Sequence, residues 1–437
     1  MRKDCDYIVN YAISQVLPEE AVKRALRGHR FAAGPAEGAI TDSVDGSAPV
    51  SGSGSSSSPA GRLLLVAVGK AAWSMAAAAH EVLGSRISEG IVITKHGYSQ
   101  GPIGSLKIRE AGHPVPDADS FSSTKEALEM TCALTPDDEV LFLLSGGGST
   151  LFESPACSEE DLQEVTNQLL AKGADIVSMN KIRKRLSRVK GGRFAQHCAP
   201  ARVFTVVLSD IIGDPLDMIA SGPAYPDSST CEDAKEVVRR FGIELPPACI
   251  PLMELETPKQ LDNVETVITG SVRELCAAAA HAAEELGYEP HYLTDCLECE
   301  ASEAGSFLSS IARSWQDSDH SVAFIAGGET VVHLNPEGHG TGGRNQVIAF
   351  SAAEKIAGLP GTAIFSAGSD GSDGPNDAAG GYVDGETAGK LAAAGLNAFD
   401  ILNDNDTYHG LEAVGGLIKT GATGTNVNDV SVVLIRR

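Results

Sequence analysis

Short runs of consecutive apolar residues recur along the chain, separated by longer stretches in which apolar positions return every three or four residues. The runs are "LLLVAV" (Leu63–Val68), "GIVIT" (90–94), "EVLFLL" (Glu139–Leu144) and "VFTVVLS" (203–209), and stretches such as 71–83, 120–133 and 159–172 follow them. A strand with no polar alternation is buried on both faces, and strands alternating with helices imply a parallel sheet covered on both sides. Pro246, Pro247 and Pro251 interrupt this rhythm. It restarts with "VETVITGS", a helix over 272–286, "HYL", a helix over 300–315, "VAFIAGGE" and "AIFSAGSDG", and closes on "VSVVLI". The pattern predicts two α/β domains with a boundary near 250, their strand-end loops meeting in a cleft. The first residues read as a helix, a break at Pro18 and a second helix.

One segment has no such pattern. Residues 28–61 are rich in glycine, serine and proline and nearly devoid of large apolar side chains, so a mobile insertion is expected there.

Composition narrows the class. The 437 residues are 42% hydrophobic and 21% charged, enough for a sizeable core. Net charge is −24, which makes nucleic acid and anionic membranes poor partners. An anionic small molecule requires basic residues gathered locally. The nine cysteines suit no complete disulfide framework and fit a reducing compartment. Cys296 and Cys299 have CxxC spacing without a second pair, so incidental thiols are expected rather than zinc. With no run of ~18 apolar residues and no signal-type start, a cytoplasmic protein is expected.

The strand-end loops carry the chemistry. In "VAVGKAAWSM", Lys70 falls at a helix start, where the dipole disfavours a cation. It is either solvated or aimed at a phosphate in the strand-end crevice, and Ala71 rules out a Walker A motif. "SGGGST" strips side chains from Gly146, Gly147 and Gly148 between Ser145 and Ser149, which favours ligand contact with backbone N–H groups. "VVLSDIIGDP" ends a strand on Asp210, a candidate magnesium ligand or a simple turn residue. In "MNKIRKRLSRVKGGRF" the wheel places Ile176, Met179, Ile182, Leu186 and Val189 on the core face, and Lys181, Lys184, Arg185 and Arg188 in solvent. Asn180, Arg183, Ser187 and Lys190 edge the apolar stripe; with Arg183 and Lys190 it is expected to wall an anion pocket. Glu329 sits in a turn, and Arg344 opens a helix after Gly342 and Gly343, a second cation at a helix start. "SAGSDGSDGPNDAAGG" offers Asp370, Asp373 and Asp377 for capping, or for magnesium or ribose contact.

These loops suggest phosphoryl transfer. A dehydrogenase would need G-x-G-x-x-G opening a helix, and neither "GGGSTL" nor "VGKAAW" supplies it. A serine hydrolase would need an elbow running into a helix, which "AGSDG" followed by "SDGPND" cannot provide.

Several of these segments, with "EAGHPVPDADS", "NKIRKRLSRVKGGRFA", "IASGPAYPD", "GGETVVHL", "GGRNQ" and "TGATGTNVNDVSVVLI", occur together in one order. In this the chain resembles the class II glycerate kinases, glycerate 2-kinases with a MOFRL-type C-terminal domain, over its whole length except 28–61. The resemblance implies ATP- and Mg²⁺-dependent phosphorylation of D-glycerate to 2-phosphoglycerate. It implies two Rossmann-like three-layer domains with mostly parallel sheets and an active-site cleft between them: a glycerate kinase domain over 1–255 and a MOFRL-type domain over 256–437. The family's catalytic lysine and arginine fall on Lys70 and Arg344, and its "SD" aspartate on Asp210. Lys70 and Arg344 are then expected on the transferring phosphoryl group, and Asp210 with Glu329 or Asp370 on magnesium. Asp210 could instead take the substrate hydroxyl proton. The Ser145–Ser149 nest and the Asn180/Arg183/Lys190 stripe are expected to hold glycerate carboxylate or phosphates, and Asp373 and Asn426 to serve the nucleotide. The expected assembly is a monomer or homodimer. Hydroxypyruvate reductase, a label once given to relatives, and a phosphosugar-binding isomerase are the alternatives.

Overall fold

In the computed structural model, residues 1–31, 61–334 and 338–437 are described. The expected insertion falls mostly on 32–60, outside them.

The first sheet contains β1 (Leu63–Val68), β2 (Ile87–Lys95), β3 (Lys107–Ala111), β4 (Glu139–Leu144), β5 (Arg202–Val207) and β6 (Val264–Ile268), ordered β3-β2-β1-β4-β5-β6. β1 and β4 are buried at every residue, as their unbroken apolar sequences require. β1 pairs in parallel with β2 on one side and β4 on the other, with Val68 opposite Leu144. The chain leaves β1 towards β2 and returns at β4 on the opposite flank, so order reverses between them. Such a reversal of strand order marks the usual ligand position in open α/β sheets, beyond the strand ends.

The second sheet contains β7 (Glu289–Leu297), β8 (Val322–Gly328), β9 (Thr362–Gly368), β10 (Gly380–Asp384), β11 (Leu417–Ile418) and β12 (Asp429–Ile435), ordered β11-β10-β9-β12-β8-β7. β7, β8, β9 and β11 share one direction. β10 and β12 oppose them, so every pairing except β7 with β8 is antiparallel. β12 enters between β8 and β9, and Asp429 lies opposite both Gly328 and Gly368. A strand running backwards there delivers its first residue to the ends where its neighbours stop.

The described chain forms two compact units, 22–207 with 216–267, and 268–437 with 1–21 and 208–215. A single division at 255 differs from this. Helix Arg2–Gln15 buries Cys5, Ile8, Val9 and Ala12 and packs on helix Val272–Glu285. Arg2 donates to the Leu417 carbonyl at 2.8 Å, and the Tyr288 hydroxyl to Asp4 at 2.7 Å. Asp210 likewise falls in the second unit, three residues beyond β5, because Ser209 N–H donates to the Gly270 carbonyl at 3.0 Å. Sequence order misplaces these segments because burial decides them.

Candidate active site

In the first unit, Gly69 ends β1 at φ +124, and a Cβ there would meet Ser145 Oγ at 2.1 Å and its carbonyl at 2.6 Å. That closeness locks the two loops together. Lys70 N–H donates to the Gly146 carbonyl at 2.9 Å, and Ala71 N–H to Ser145 Oγ at 3.1 Å. Lys70 thus precedes helix Ala72–Leu83 rather than opening it. Among the described residues its Nζ has no ion-pair or hydrogen-bond partner.

Gly147, at φ +86, starts a single turn, Gly148–Leu151. No acceptor is present for the N–H groups of Gly148 and Ser149 among the described residues, which leaves the donors an anion needs. Ser149 Oγ lies 3.1 Å from Ser221 Oγ, and Ser221 donates to Asn180 Oδ1 at 2.9 Å. Ser221 and Ala220 both adopt positive φ, 62° and 50°. Asn180 is therefore a support that orients Ser221 and, through it, Ser149. Ser149 and Arg183 share a cavity of about 80 Å³ with Thr150 and Glu153. Burial lowers the Arg183 pKa, and the charge of Glu153 opposes this.

Lys190 departs from the expectation. It is 0% exposed, with Nζ 2.8 Å from Glu153 and 3.0 Å from the Phe152 carbonyl. Burial lowers its pKa, with Glu153 opposing. Its charge is taken up inside the protein, so it is no ligand-facing cation. The solvated face of the same helix is also corrected. Lys184 and Arg185 are 2% and 0% exposed, and Asp227 lies 3.0 Å from Lys184 Nζ and 3.8 Å from Arg185. Ile176, expected in the core, is 58% exposed. The helix ends at Leu186; helix Cys231–Phe241 packs on its apolar face, while loop residues Asp227, Ser229, Glu256 and Thr257 cover the face that a lone wheel assigns to water.

In the second unit, Arg344 opens helix Arg344–Ala352. Its Nε and Nη2 donate to the two Asp429 oxygens at 2.6 and 3.3 Å, and Nη1 to Glu329 at 2.8 Å. Burial alone would lower the Arg344 pKa, but Asp429 and then Glu329 hold it well above its ordinary value. Burial pushes the Asp429 carboxyl up to about 6 against the pull of Arg344. Asp373 is 3% exposed and accepts from the Asn345 and Gln346 N–H groups at 3.0 and 2.8 Å. Burial raises its pKa, and these bonds oppose it. Asp373 caps the helix and positions Arg344, so it is spent as a nucleotide ligand.

Arg344, Asp370, Gly342 and Gly343 line a cavity of about 500 Å³, together with Thr330 and apolar Val331, Leu334 and Pro375. Asp370 Oδ1 accepts from Ser372 N–H at 2.9 Å. Asn426 is exposed, with Oδ1 3.3 Å from Asn428 N–H. Asp210 is half-buried and engaged in an interaction of its own. Asp210, Glu329 and Asp370 do not assemble into a three-ligand cluster; among the described residues such a group exists only at His96, Asp117 and Asp119. All nine cysteines are free, Cys296 and Cys299 included. Sequence reasoning missed His113, Ser221 and Asp429. All three stand in quoted motifs, "GHP", "ASGP" and "NVND", but nothing in the spacing sets them apart, and Asp429 looks like an ordinary strand start.

The fold and its glycine-rich strand-end loops define a two-unit α/β protein with Arg183 on a small cavity of about 80 Å³ in the first unit and Arg344 on one of about 500 Å³ in the second. A family model described as a domain of unknown function, DUF4147, matches residues 4–254, and the MOFRL family model matches 322–429. A "D-glycerate 2-kinase" of Thermotoga maritima is 51% identical over 380 residues, 86% of this chain and 91% of that one. A crystal structure of glycerate kinase from Thermotoga maritima superposes with TM-score 0.89 at 46% identity, covering 99% of both chains. A "putative hydroxypyruvate reductase" of Agrobacterium vitis is 38% identical over 391 residues, 86% of this chain and 88% of that one. The chain belongs to the MOFRL-type glycerate kinase family.

Proposed function

We propose that this chain is a glycerate 2-kinase, transferring the γ-phosphoryl group of ATP to the C2 hydroxyl of D-glycerate and releasing 2-phosphoglycerate and ADP. The observation that carries this reading is the near-complete match to a D-glycerate 2-kinase, at 51% identity. Phosphoryl transfer asks a protein mainly for positioning and charge neutralisation. Lys70 supplies an uncommitted cation next to the bare N–H groups of Gly148 and Ser149. Arg344, held by two carboxylates, supplies a guanidinium of fixed orientation. Both act on phosphoryl oxygens. Arg183, with Ser149 beside it, receives the second anion.

The donor set fits a magnesium ion carried largely by nucleotide phosphates, because such an ion takes only one or two protein carboxylates. Asp370 is the best placed, on the wall of the 500 Å³ cavity, with Asp210 as the second candidate. Bound there, magnesium would neutralise phosphate charge. Asn426 remains a candidate nucleotide contact. The free thiols fit a reducing compartment, and we place the protein in the cytoplasm; among the described residues no helix is long and apolar enough to cross a membrane.

The first sheet has the strand order of dinucleotide-binding folds, which keeps the reductase reading alive on topology alone. The loop after β1 lacks the glycine fingerprint. One experiment separates the two. Purified protein with D-glycerate, ATP and Mg²⁺ should yield ADP and 2-phosphoglycerate by phosphorus NMR, and should not oxidise NADH or NADPH with hydroxypyruvate. Reductase turnover without phosphoryl transfer would reverse the assignment.

A further inference from the structure

The kinase reading leaves one group beside Lys70 without a task. His113 lies in the loop after β3, and its Nδ1 is 2.8 Å from Thr150 Oγ1. Thr150 Oγ1 donates to the Gly147 carbonyl at 3.2 Å, and with its hydrogen so directed its oxygen is free to accept from His113. His113 Nδ1 is then the donor, and in the neutral ring Nε2 carries the lone pair. Among the described residues Nε2 has no hydrogen-bond partner.

The ring and the Lys70 side chain converge over the same bare backbone. A Cβ on Gly147 would lie 3.3 Å from His113 Cε1 and 3.3 Å from Lys70 Cγ. That glycine keeps open the space where the two side chains face the phosphate-binding turn. A neutral imidazole with its lone pair free, next to a cation and unpaired N–H groups, has the makings of a base beside a phosphoryl site.

We propose that His113 is the general base that takes the proton from the glycerate C2 hydroxyl during phosphoryl transfer. The proposal rests on the kinase reading. In the step, the C2–O–H proton passes to His113 Nε2 as the oxygen bonds to the γ-phosphorus. The bond from the γ-phosphorus to the bridging oxygen breaks, and its electron pair stays on the β-phosphate of ADP. Imidazolium then returns the proton to solvent. Thr150 is a positioning residue that fixes the tautomer. The environment keeps the ring neutral beforehand: burial lowers its pKa, and the charges of Lys70 and of Lys95, at the end of β2, lower it further. The incoming phosphates offset those charges when the proton arrives.

The test is the pH dependence of kcat at saturating ATP and glycerate between about pH 5 and 8, where histidines titrate. Wild-type kcat should rise with pH along an acid limb, then level off. His113→Asn retains a donor where Nδ1 meets Thr150 but has no base. It should lower kcat by ~10²–10⁴-fold, abolish the limb, and leave Tm and the KM for glycerate little changed. In Lys70→Ala, residual activity should keep a limb moved upward in pH, which a purely structural role would not produce. A His113→Asn enzyme with wild-type kcat and profile overturns the proposal. So does a flat wild-type profile, which needs no variant to fold. Wild-type protein that forms no 2-phosphoglycerate overturns the kinase reading itself, and the two failures are told apart by that control.

Discussion

Lys70 and Arg344 follow glycines in strand-end loops and look alike in sequence, yet the fold treats them differently. Arg344 is gripped by Asp429 and Glu329, its donors aimed before any ligand arrives. Lys70 has no such partner among the described residues. Lys190 marks the far limit, a cation consumed by the interior. What separates the three is how much of the charge is already answered by the protein. A fully paired buried lysine holds the fold together, a partly paired arginine is preorganised, and an unpaired lysine is free for an anion.

Each cation can be tested against that ordering. Lys190→Ala should cost the most stability, ~3–5 kcal/mol, because Glu153 is left charged and buried without a partner. Urea denaturation checks this, and a loss no larger than at a surface site would contradict it. Lys184→Ala should behave in the same way, because Asp227 would lose its close partner. Arg344→Lys should lower kcat by ~10²–10³-fold, since an ammonium cannot span two Asp429 oxygens and Glu329 while presenting a planar fork. It should also lower Tm. Adding Asp429→Asn should restore part of the Tm and none of the kcat, which separates the fold from the chemistry.

Lys70→Ala should lower kcat to a similar degree with Tm unchanged, because no ion pair is broken. A marked fall in Tm would show Lys70 to be structural, and the contrast with Arg344 would collapse.

The smallest effect concerns acid. Asp117 and Glu256, both in the unit of Lys70, have pKa values held down to about 2 despite opposing desolvation, by the His96 and Ser120 bonds and by Cys231 N–H and Lys259 respectively. A depressed carboxylate adds stability above its unfolded value of ~4 and loses it as pH falls towards the folded value. Asp373 and Asp429, in the other unit, are raised, so lowering the pH favours their folded state. Hydrogen–deuterium exchange between about pH 5 and 3, corrected for intrinsic rates, should show protection falling first in 62–207. Equal losses in both units would contradict this difference.

Much of the fold was legible. Unbroken apolar runs such as "LLLVAV" and "EVLFLL" mark strands buried on both faces, and the structure forms both as fully buried strands. The glycines of "SGGGST" suggest backbone bared for a ligand; the contact that locks Gly69 against Ser145 has no signal in local pattern. What misled was the helix at Ile176–Leu186. Periodicity finds an apolar stripe, but it cannot say that loop segments carrying Asp217, Asp227 and Glu256 fold over the opposite face and pair with Lys184 and Arg185.

The sequence by itself determined the α/β alternation, the placing of cations in glycine-rich turns and the absence of a dinucleotide fingerprint, because each depends on neighbours within a few residues. Tertiary structure alone decided which charges are answered. Glu153 reaches Lys190 from 37 positions away and Asp429 reaches Arg344 from 85, the latter because β12 runs backwards between β8 and β9. Coulomb energy and desolvation depend on separation in space, and local patterning along the chain does not encode that distance.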